Sequence, residues 1–445
     1  MADCVFRRKI YDKLLDWKHE SKGESALLIE GARRIGKSTI VEQFARNEYK
    51  SYIMIDFSSP NPDLFDLFKN MSNLDDFFMR LKLITHKPLY ERNSLIIFDE
   101  VQLQPLARQA IKHLVADGRY DYIETGSLIS IQQNVKNIVI PSEEESMEMF
   151  PMDYEEFCWA IGDEVSFDLF RSAFSSHRGF GDATNRQLMR SFRLYMLVGG
   201  MPQAVSKYIE TKDFGKVDAV KRKILELYFK DLHRLDPSDR AVNILKSVPS
   251  ELHKNQSRFK MSSLFRGIRT EAASALVNFL SESKIVNVTY HADDPNVGMN
   301  LSTDRTTYKI YLNDTGLFVT LAFWDKGFTE NVIYTKLLSD KLEANLGYVY
   351  ENVVAQMVAS AGNKLFYYTF PTENRHLYEI DFLLSRGNKL YPVEVKSSGY
   401  RTHASLDAFA EKYSARIAGR YLVCTKDLHS EGQTTIVPMY LVPLL

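Results

Sequence analysis

The chain has 445 residues, 45% of them hydrophobic, with 56 lysines and arginines against 57 aspartates and glutamates. That length exceeds one ordinary core, so two to four domains are expected, and the near-neutral balance excludes a global field that draws in nucleic acid. Three widely spaced cysteines, Cys4, Cys158 and Cys424, exclude a disulfide framework or a zinc ribbon, and the short apolar runs and early charge of MADCVFRRKIYDKLLDW predict a cytoplasmic protein with no membrane partner.

The periodicity predicts a first helix over 8–19 with Ile10, Leu14 and Trp17 on one face. Apolar runs at 26–30, 52–57, 94–98 and 120–125 then alternate with helical stretches, and a fifth strand is expected in 147–152. Strand, helix, strand, helix is the order of a parallel sheet with covering helices, so residues 1–165 read as one α/β domain.

Within it, Gly31, Ala32, Arg33, Arg34, Ile35, Gly36, Lys37, Ser38 and Thr39 carry the pattern G-x-x-x-x-G-K-[ST] between an apolar strand and a helix start. Glycines let backbone N–H groups curl around phosphates, and the helix N-terminus adds positive potential. Lys37 is expected to reach the β- and γ-phosphates of ATP, and Ser38 to ligate Mg²⁺. The run SLIIFDE ends in Asp99 and Glu100. A buried parallel strand delivers both to the carboxyl edge of the sheet, Asp99 for the Mg²⁺ shell and Glu100 to orient or deprotonate the attacking water. The next strand ends in Thr125-Gly126-Ser127, where Ser127 or Thr125 can sense the γ-phosphate or simply be a polar strand end. Arg33, Arg34, Arg108 and Arg119 are candidate arginine fingers, in this chain or from a second subunit of an oligomer.

Residues 166–239 read as helical, broken at Gly199-Gly200 with Pro202 suited to a helix first turn. Over 240–325, three short helices and strands at 284–290 and 306–312 give the order of a winged helix-turn-helix. Its candidate recognition helix, 270–282, offers Arg269 and Asn278 but also Glu271 and Glu282, with Leu276, Phe279 and Leu280 as core. That is a poor base-reading face, so a packing or lid module is the competing reading.

Residues 326–445 return to mixed α/β, with a helix near 341–359, a strand at 364–370, a hairpin over 378–396, a helix near 402–414 and a strand at 420–425. If Gly387-Asn388 forms a two-residue turn, Asp381 falls opposite Glu394 and Glu379 opposite Lys396, all on one face. Two facing carboxylates repel unless a cation lies between them, and Mg²⁺ or Mn²⁺ suits such oxygen ligands. Lys396 can then stabilise a hydroxide attacking a phosphodiester. From residue 340 onward basic and acidic residues are equal in number, so DNA or RNA binding, if present, is expected to show little sequence preference. A surface hairpin with paired charges and a fold kept only for binding remain alternatives.

The stretches LLIEGARRIGKST, LIIFDEVQ, MFPMDYEEFCWA, LVGGMPQAV, YLNDTGL and YENVVAQ resemble a large prokaryotic family of AAA-type ATPases with a C-terminal domain of unknown function. The resemblance implies an α/β ATPase of the ASCE class with a helical lid over 166–239, a winged helix and a nuclease-like C-terminal fold. The hairpin also resembles the PD-(D/E)xK nuclease pattern, with Asp381, Glu394 and Lys396 at its three positions and Glu351 as the extra acid some members carry. The function expected is an ATPase whose nucleotide state gates a nucleic-acid-directed, nuclease-like module, or an ATP-switched machine acting on a protein partner.

Overall fold

The structure, a computed structural model, describes residues 5–445 except 60, 70, 72, 127–141, 255, 327–330, 340–346, 372–376, 399 and 401. Its chain forms two compact units, residues 1–150 with 282–284, and residues 151–281 with 285–445.

In the first unit, β1 (Ala26–Glu30), β2 (Ser51–Asp56), β3 (Ser94–Asp99), β4 (Asp121–Thr125) and β5 (Glu144–Glu148) form one sheet in the order β2-β3-β4-β1-β5. Every neighbouring pair is parallel. β3 and β4 are buried along their whole length; β3 accordingly has the apolar run LIIF, whereas β4 also buries Asp121 and Glu124. One face carries Leu28, Ile53, Ile55, Ile96, Phe98 and Tyr122 against Phe77, Leu81 and Ile111 of the helices Leu74–Thr85 and Pro105–Asp117. The first helix, Ile10–Ser21, buries Ile10, Leu14 and Trp17 as its periodicity predicts. The fifth strand lies three residues earlier than expected. β5 is an edge strand bonded only to β1, so the polar sequence EESME suffices, and the apolar residues that drew attention, Met149 and Met152, are buried after it.

The second unit is helical from Tyr154 to His253 and then carries two sheets, β7-β6-β8-β9 and β10-β11-β12-β14-β13. The strands are β6 (Val286–Ala292), β7 (Thr303–Leu312), β8 (Phe366–Pro371), β9 (Leu377–Ile380), β10 (Phe382–Arg386), β11 (Lys389–Val395), β12 (Arg420–Cys424), β13 (His429–Glu431) and β14 (Thr434–Pro438). The helix Thr270–Glu282 has the expected bounds, but its buried face is Ala273, Val277 and Leu280, and Leu276 and Phe279 are only half-buried.

Four segments that look chemically silent in the sequence meet here. Asp314 caps the helix Thr315–Ala322 at Leu317 N–H (2.7 Å) and also accepts from Gly200 N–H (2.6 Å). Gly200 in turn accepts from Met152 N–H at 2.8 Å. A Cβ on Gly200 would lie 2.0 Å from Met152 O, and one on Gly199 2.5 Å from Asp314 Oδ1. Gln356 accepts from Thr315 N–H and donates to Tyr195 Oη, both at 2.8 Å, while Asn352 brackets Leu312 through its amide. Lys221, fully buried, donates to Leu197 O and Gly316 O. Burial pushes its ammonium down to about 8 against the pull of Asp218 and Asp314. Every group in this joint is paired, the condition under which buried polar groups specify one packing.

Candidate active site

The loop between β1 and the helix Lys37–Glu48 bends at Gly31 (φ 152°) and Gly36 (φ 95°). At Gly31 a Cβ would lie 2.3 Å from Met149 O, so the glycine is required by backbone approach as well as by φ. Ala32 and Ile35 are buried and anchor the loop; Arg33, Arg34 and Thr39 are exposed. Arg8 also holds it, donating to Ile35 O at 2.9 Å and Phe150 O at 2.7 Å. Sequence reasoning missed that residue, because nothing local marks an arginine 27 positions away as a loop anchor.

Lys37 Nζ folds back onto Gly31 O and Ala32 O, 2.9 Å each. Burial pushes its ammonium down to about 8, against the attraction of Glu100 and Asp99. A phosphate arriving in the loop offers stronger acceptors than these carbonyls. Ser38 Oγ donates to Asp99 Oδ1 at 2.7 Å, and Thr125 Oγ1 donates to the same oxygen. Asp99 reaches this point because β4 lies between β1 and β3 and brings Thr125 with it. Ser38 and Asp99 are hard oxygen donors within one hydrogen bond of each other, a donor set that fits Mg²⁺ bound with nucleotide phosphates. When bound, that ion neutralises phosphate charge.

Glu100 sits past the strand end in the left-handed region, φ 54°, ψ 44°, and Gln102 donates to its Oε2. A non-glycine residue there is strained, and the turn it makes sets the carboxylate off the strand axis. Ser127 lies outside the described residues. Two arginine-finger candidates are committed elsewhere. Arg108 is buried and forked onto Glu144 (2.7 and 3.2 Å), and Arg119 pairs with Asp117 and Asp75. Glu144 also lies beside the fully buried Glu124, whose carboxyl is pushed well above its usual range by burial and then by that neighbour.

The hairpin of the second unit departs from expectation at one residue. The turn at 387–388 and the register Phe382↔Val393 to Arg386↔Lys389 are as predicted. The ladder stops at Phe382, because the chain bends at Asp381 and β9 pairs with β8 in the other sheet. Glu379 therefore lies across from Thr369 and not Lys396, and it binds Lys309 on β7. Asp381 Oδ2 accepts from Val395 N–H at 2.7 Å, and its strongest charged neighbours are Glu351, Lys309 and Glu379. Burial, then the Glu351 charge, pushes the Asp381 carboxyl well above its usual range. Glu351 accepts from Tyr311 Oη (3.2 Å) and lies 3.7 Å from Lys309 Nζ. Glu394 belongs to a separate group, 3.1 Å from Lys396 Nζ, with His403 nearby. Among the described residues, no group of three or more His, Cys, Asp or Glu side chains is arranged to hold a metal ion. The expected ladder pair of Asp381 with Glu394 is not formed, and the two acids have different charged neighbours, Glu351, Lys309 and Glu379 for Asp381 and Lys396 for Glu394.

Residues 23–158 match the family model described as an AAA domain. Residues 189–327 and 346–442 match two domains of unknown function, DUF8612 and DUF4143. Among solved structures, the Walker-type ATPase PABY2304 of Pyrococcus abyssi is 17% identical, covering 72% of this chain and 97% of its own, with TM-score 0.41. The Aeropyrum pernix ORC1 protein, solved in complex with DNA, is 10% identical over 76% of this chain and 93% of its own, TM-score 0.26. The signal transduction ATPase with numerous domains PH0952 of Pyrococcus horikoshii is 12% identical over 80% of this chain and 48% of its own, TM-score 0.26. At these scores the likenesses say nothing of how this chain's parts are arranged or what they bind. No curated protein matches the chain. The AAA-domain match and the loop built on a parallel sheet make this chain a P-loop ATPase. Among the described residues no helix is long and apolar enough to cross a membrane.

Proposed function

We propose that ATP binding and hydrolysis at Lys37, Ser38, Asp99 and Glu100 set the state of a second unit directed at nucleic acid with little sequence preference. The ATP half is carried by one observation: Ser38 and Thr125 share Asp99 Oδ1 beside a lysine held on loop carbonyls. In this reading Lys37 leaves those carbonyls for the phosphates, and Ser38 and Asp99 hold Mg²⁺. Thr125 orients Asp99, and Glu100 takes a proton from the attacking water.

The nucleic-acid half is supported by element order. Helices over 240–282 precede the antiparallel pair β6–β7, the order of a winged helix. We divide the second unit into a lid over 166–239, a winged helix over 240–325 and a module over 326–445. The module is read as binding and not cleaving, because Asp381 and Glu394 fall in different charge groups, Asp381 with Glu351, Lys309 and Glu379 and Glu394 with Lys396. The test is the ATPase rate with and without single- and double-stranded DNA and RNA. Stimulation is expected, and rates indifferent to every nucleic acid would sink the nucleic-acid half while leaving the ATPase intact. The equal numbers of basic and acidic residues from 340 onward favour a second reading, an ATP-switched machine for a protein partner.

A further inference from the structure

The second unit holds a cleft of about 580 Å³ that none of the residues assigned above lines. One wall is the segment 256–260. Phe259 is buried, donates its N–H to Tyr308 O at 2.7 Å and stacks on the Tyr308 ring at 6.4 Å. Its neighbours Arg258 and Lys260 both line the cleft, exposed. Within the described residues neither side chain makes an ion pair or hydrogen bond.

The opposite wall comes from β6 and β8. His291 accepts from Thr369 N–H at Nε2 (3.3 Å), so its Nδ1 carries the proton and faces Asp293 Oδ1 at 3.1 Å. Asp304 is turned onto its own loop, accepting from Thr306 N–H and Oγ1 at 2.8 and 2.6 Å. Both acids of the cleft are thus engaged locally. Tyr367, fully buried, also lines the cleft, and its hydroxyl has no partner among the described residues. A buried hydroxyl without a partner costs stability, so it points to an acceptor supplied from outside.

We propose that this cleft seats the sugar-phosphate backbone of a nucleic-acid strand, with Arg258, Lys260 and the Tyr367 hydroxyl donating to phosphate oxygens. The inference rests on the nucleic-acid reading above and assigns its contact surface, in place of the helix Thr270–Glu282. A guanidinium fork fits phosphate in two-point fashion, and Lys260 adds a point charge beside it. Ser257, Thr307 and Thr369 supply hydroxyls of the kind that bond sugar and phosphate. The contacts are to phosphate and sugar, so sequence preference is weak. Asp293 and Asp304 limit the contact to about two phosphates, so the affinity has a shallow salt slope, about −1.8 for duplex and about −1.4 for a single strand.

The test uses the full chain and labelled single- and double-stranded oligonucleotides, followed by anisotropy from about 50 to about 200 mM salt. The double variant Arg258→Ala/Lys260→Ala is expected to weaken binding about tenfold or more and to bring the salt slope close to zero. Tyr367→Phe is expected to weaken binding by about two- to fivefold while leaving the unfolding midpoint unchanged or raised, because it removes an unpartnered group. A purely structural tyrosine would move the midpoint and not the affinity. Arg269→Ala, immediately before the helix Thr270–Glu282, should change affinity less than twofold. Strand binding that is normal in the double variant overturns the cleft and leaves the nucleic-acid reading standing. Absence of strand binding by the wild type overturns both. Micromolar binding of inorganic phosphate or a mononucleotide without strand binding would make this a small-anion site and overturn the strand proposal.

Discussion

Ser38 Oγ donates to Asp99 Oδ1 at 2.7 Å across 61 positions of sequence, and the Thr125 hydroxyl bonds the same oxygen. Three strand or helix ends thus converge on one carboxylate at the edge of the parallel sheet. Replacing Asp99 with Asn keeps the shape and removes the charge. Hydrolysis is expected to fall by at least about a hundredfold, with ATP affinity becoming insensitive to Mg²⁺. Equilibrium titration with and without Mg²⁺, alongside steady-state rates, checks it.

Lys37 makes nucleotide binding pH-dependent. Burial lowers its folded value to about 8, whereas the unfolded chain titrates near 10.5. Between these values the unfolded state holds more protons, so this group makes the free protein more stable as pH rises from about 8 to about 10.5. Bound phosphate favours the ammonium and raises its pKa, so ATP binding takes up a proton above about pH 8. Affinity should fall as pH climbs past that point, by up to about tenfold per unit. Calorimetry in buffers of different ionisation heat measures the proton directly; no uptake at pH 9, or the same uptake in Lys37→Met, would refute the assignment.

Glu100 and Gln102 are joined by a hydrogen bond at a strained turn. Glu100→Gln should retain ATP affinity within about threefold and lose at least about a hundredfold in turnover. Gln102→Leu should lower kcat by about tenfold with KM little changed, because it loosens the carboxylate without touching the phosphate loop. A Glu100→Gln variant that turns over at the wild-type rate removes the base role altogether.

Gly200 has no room for a methyl group, with Met152 O 2.0 Å from its notional Cβ. Gly200→Ala should destabilise the second unit by about 2 kcal/mol or more, since the obstacle is backbone. Native-state hydrogen exchange would show the loss in the second unit, with protection of the first unit's sheet kept.

Lys309 pairs with Glu379, lies 3.7 Å from Glu351 and is near Asp381. Lys309→Met leaves those carboxylates without their cation and should cost about 3–5 kcal/mol near neutral pH. Glu351 and Asp381 already have raised pKa values, so their favourable linkage is present below the unfolded value and is lost as pH rises. In the variant those values rise further, so the deficit should shrink on acidification toward pH 5. Denaturant midpoints at several pH values decide it, and a pH-independent deficit would contradict this account.

The first helix, the first four strands and the phosphate loop were legible in the sequence, because each is a local pattern. Ile10, Leu14 and Trp17 repeat at helical spacing, SLIIFD has an apolar centre ending in a carboxylate, and Gly31 to Ser38 is contiguous. Even the turn at 387–388 fixed the register of β10 against β11. The pairing of the residues on the N-terminal side of Phe382 was set from a distance. Asp381 leaves the ladder because β9 finds a better partner in β8, and alternation along a hairpin carries no information about a competing strand. The same limit hid Arg8 under the loop, Arg108 on Glu144, and the joint through Gly200, Asp314 and Gln356. Those contacts depend on a buried charge or amide finding its partner across the folded chain. Sequence spacing sets which residues share a face; only tertiary packing decides which buried groups meet, because each must be satisfied wherever the chain places it.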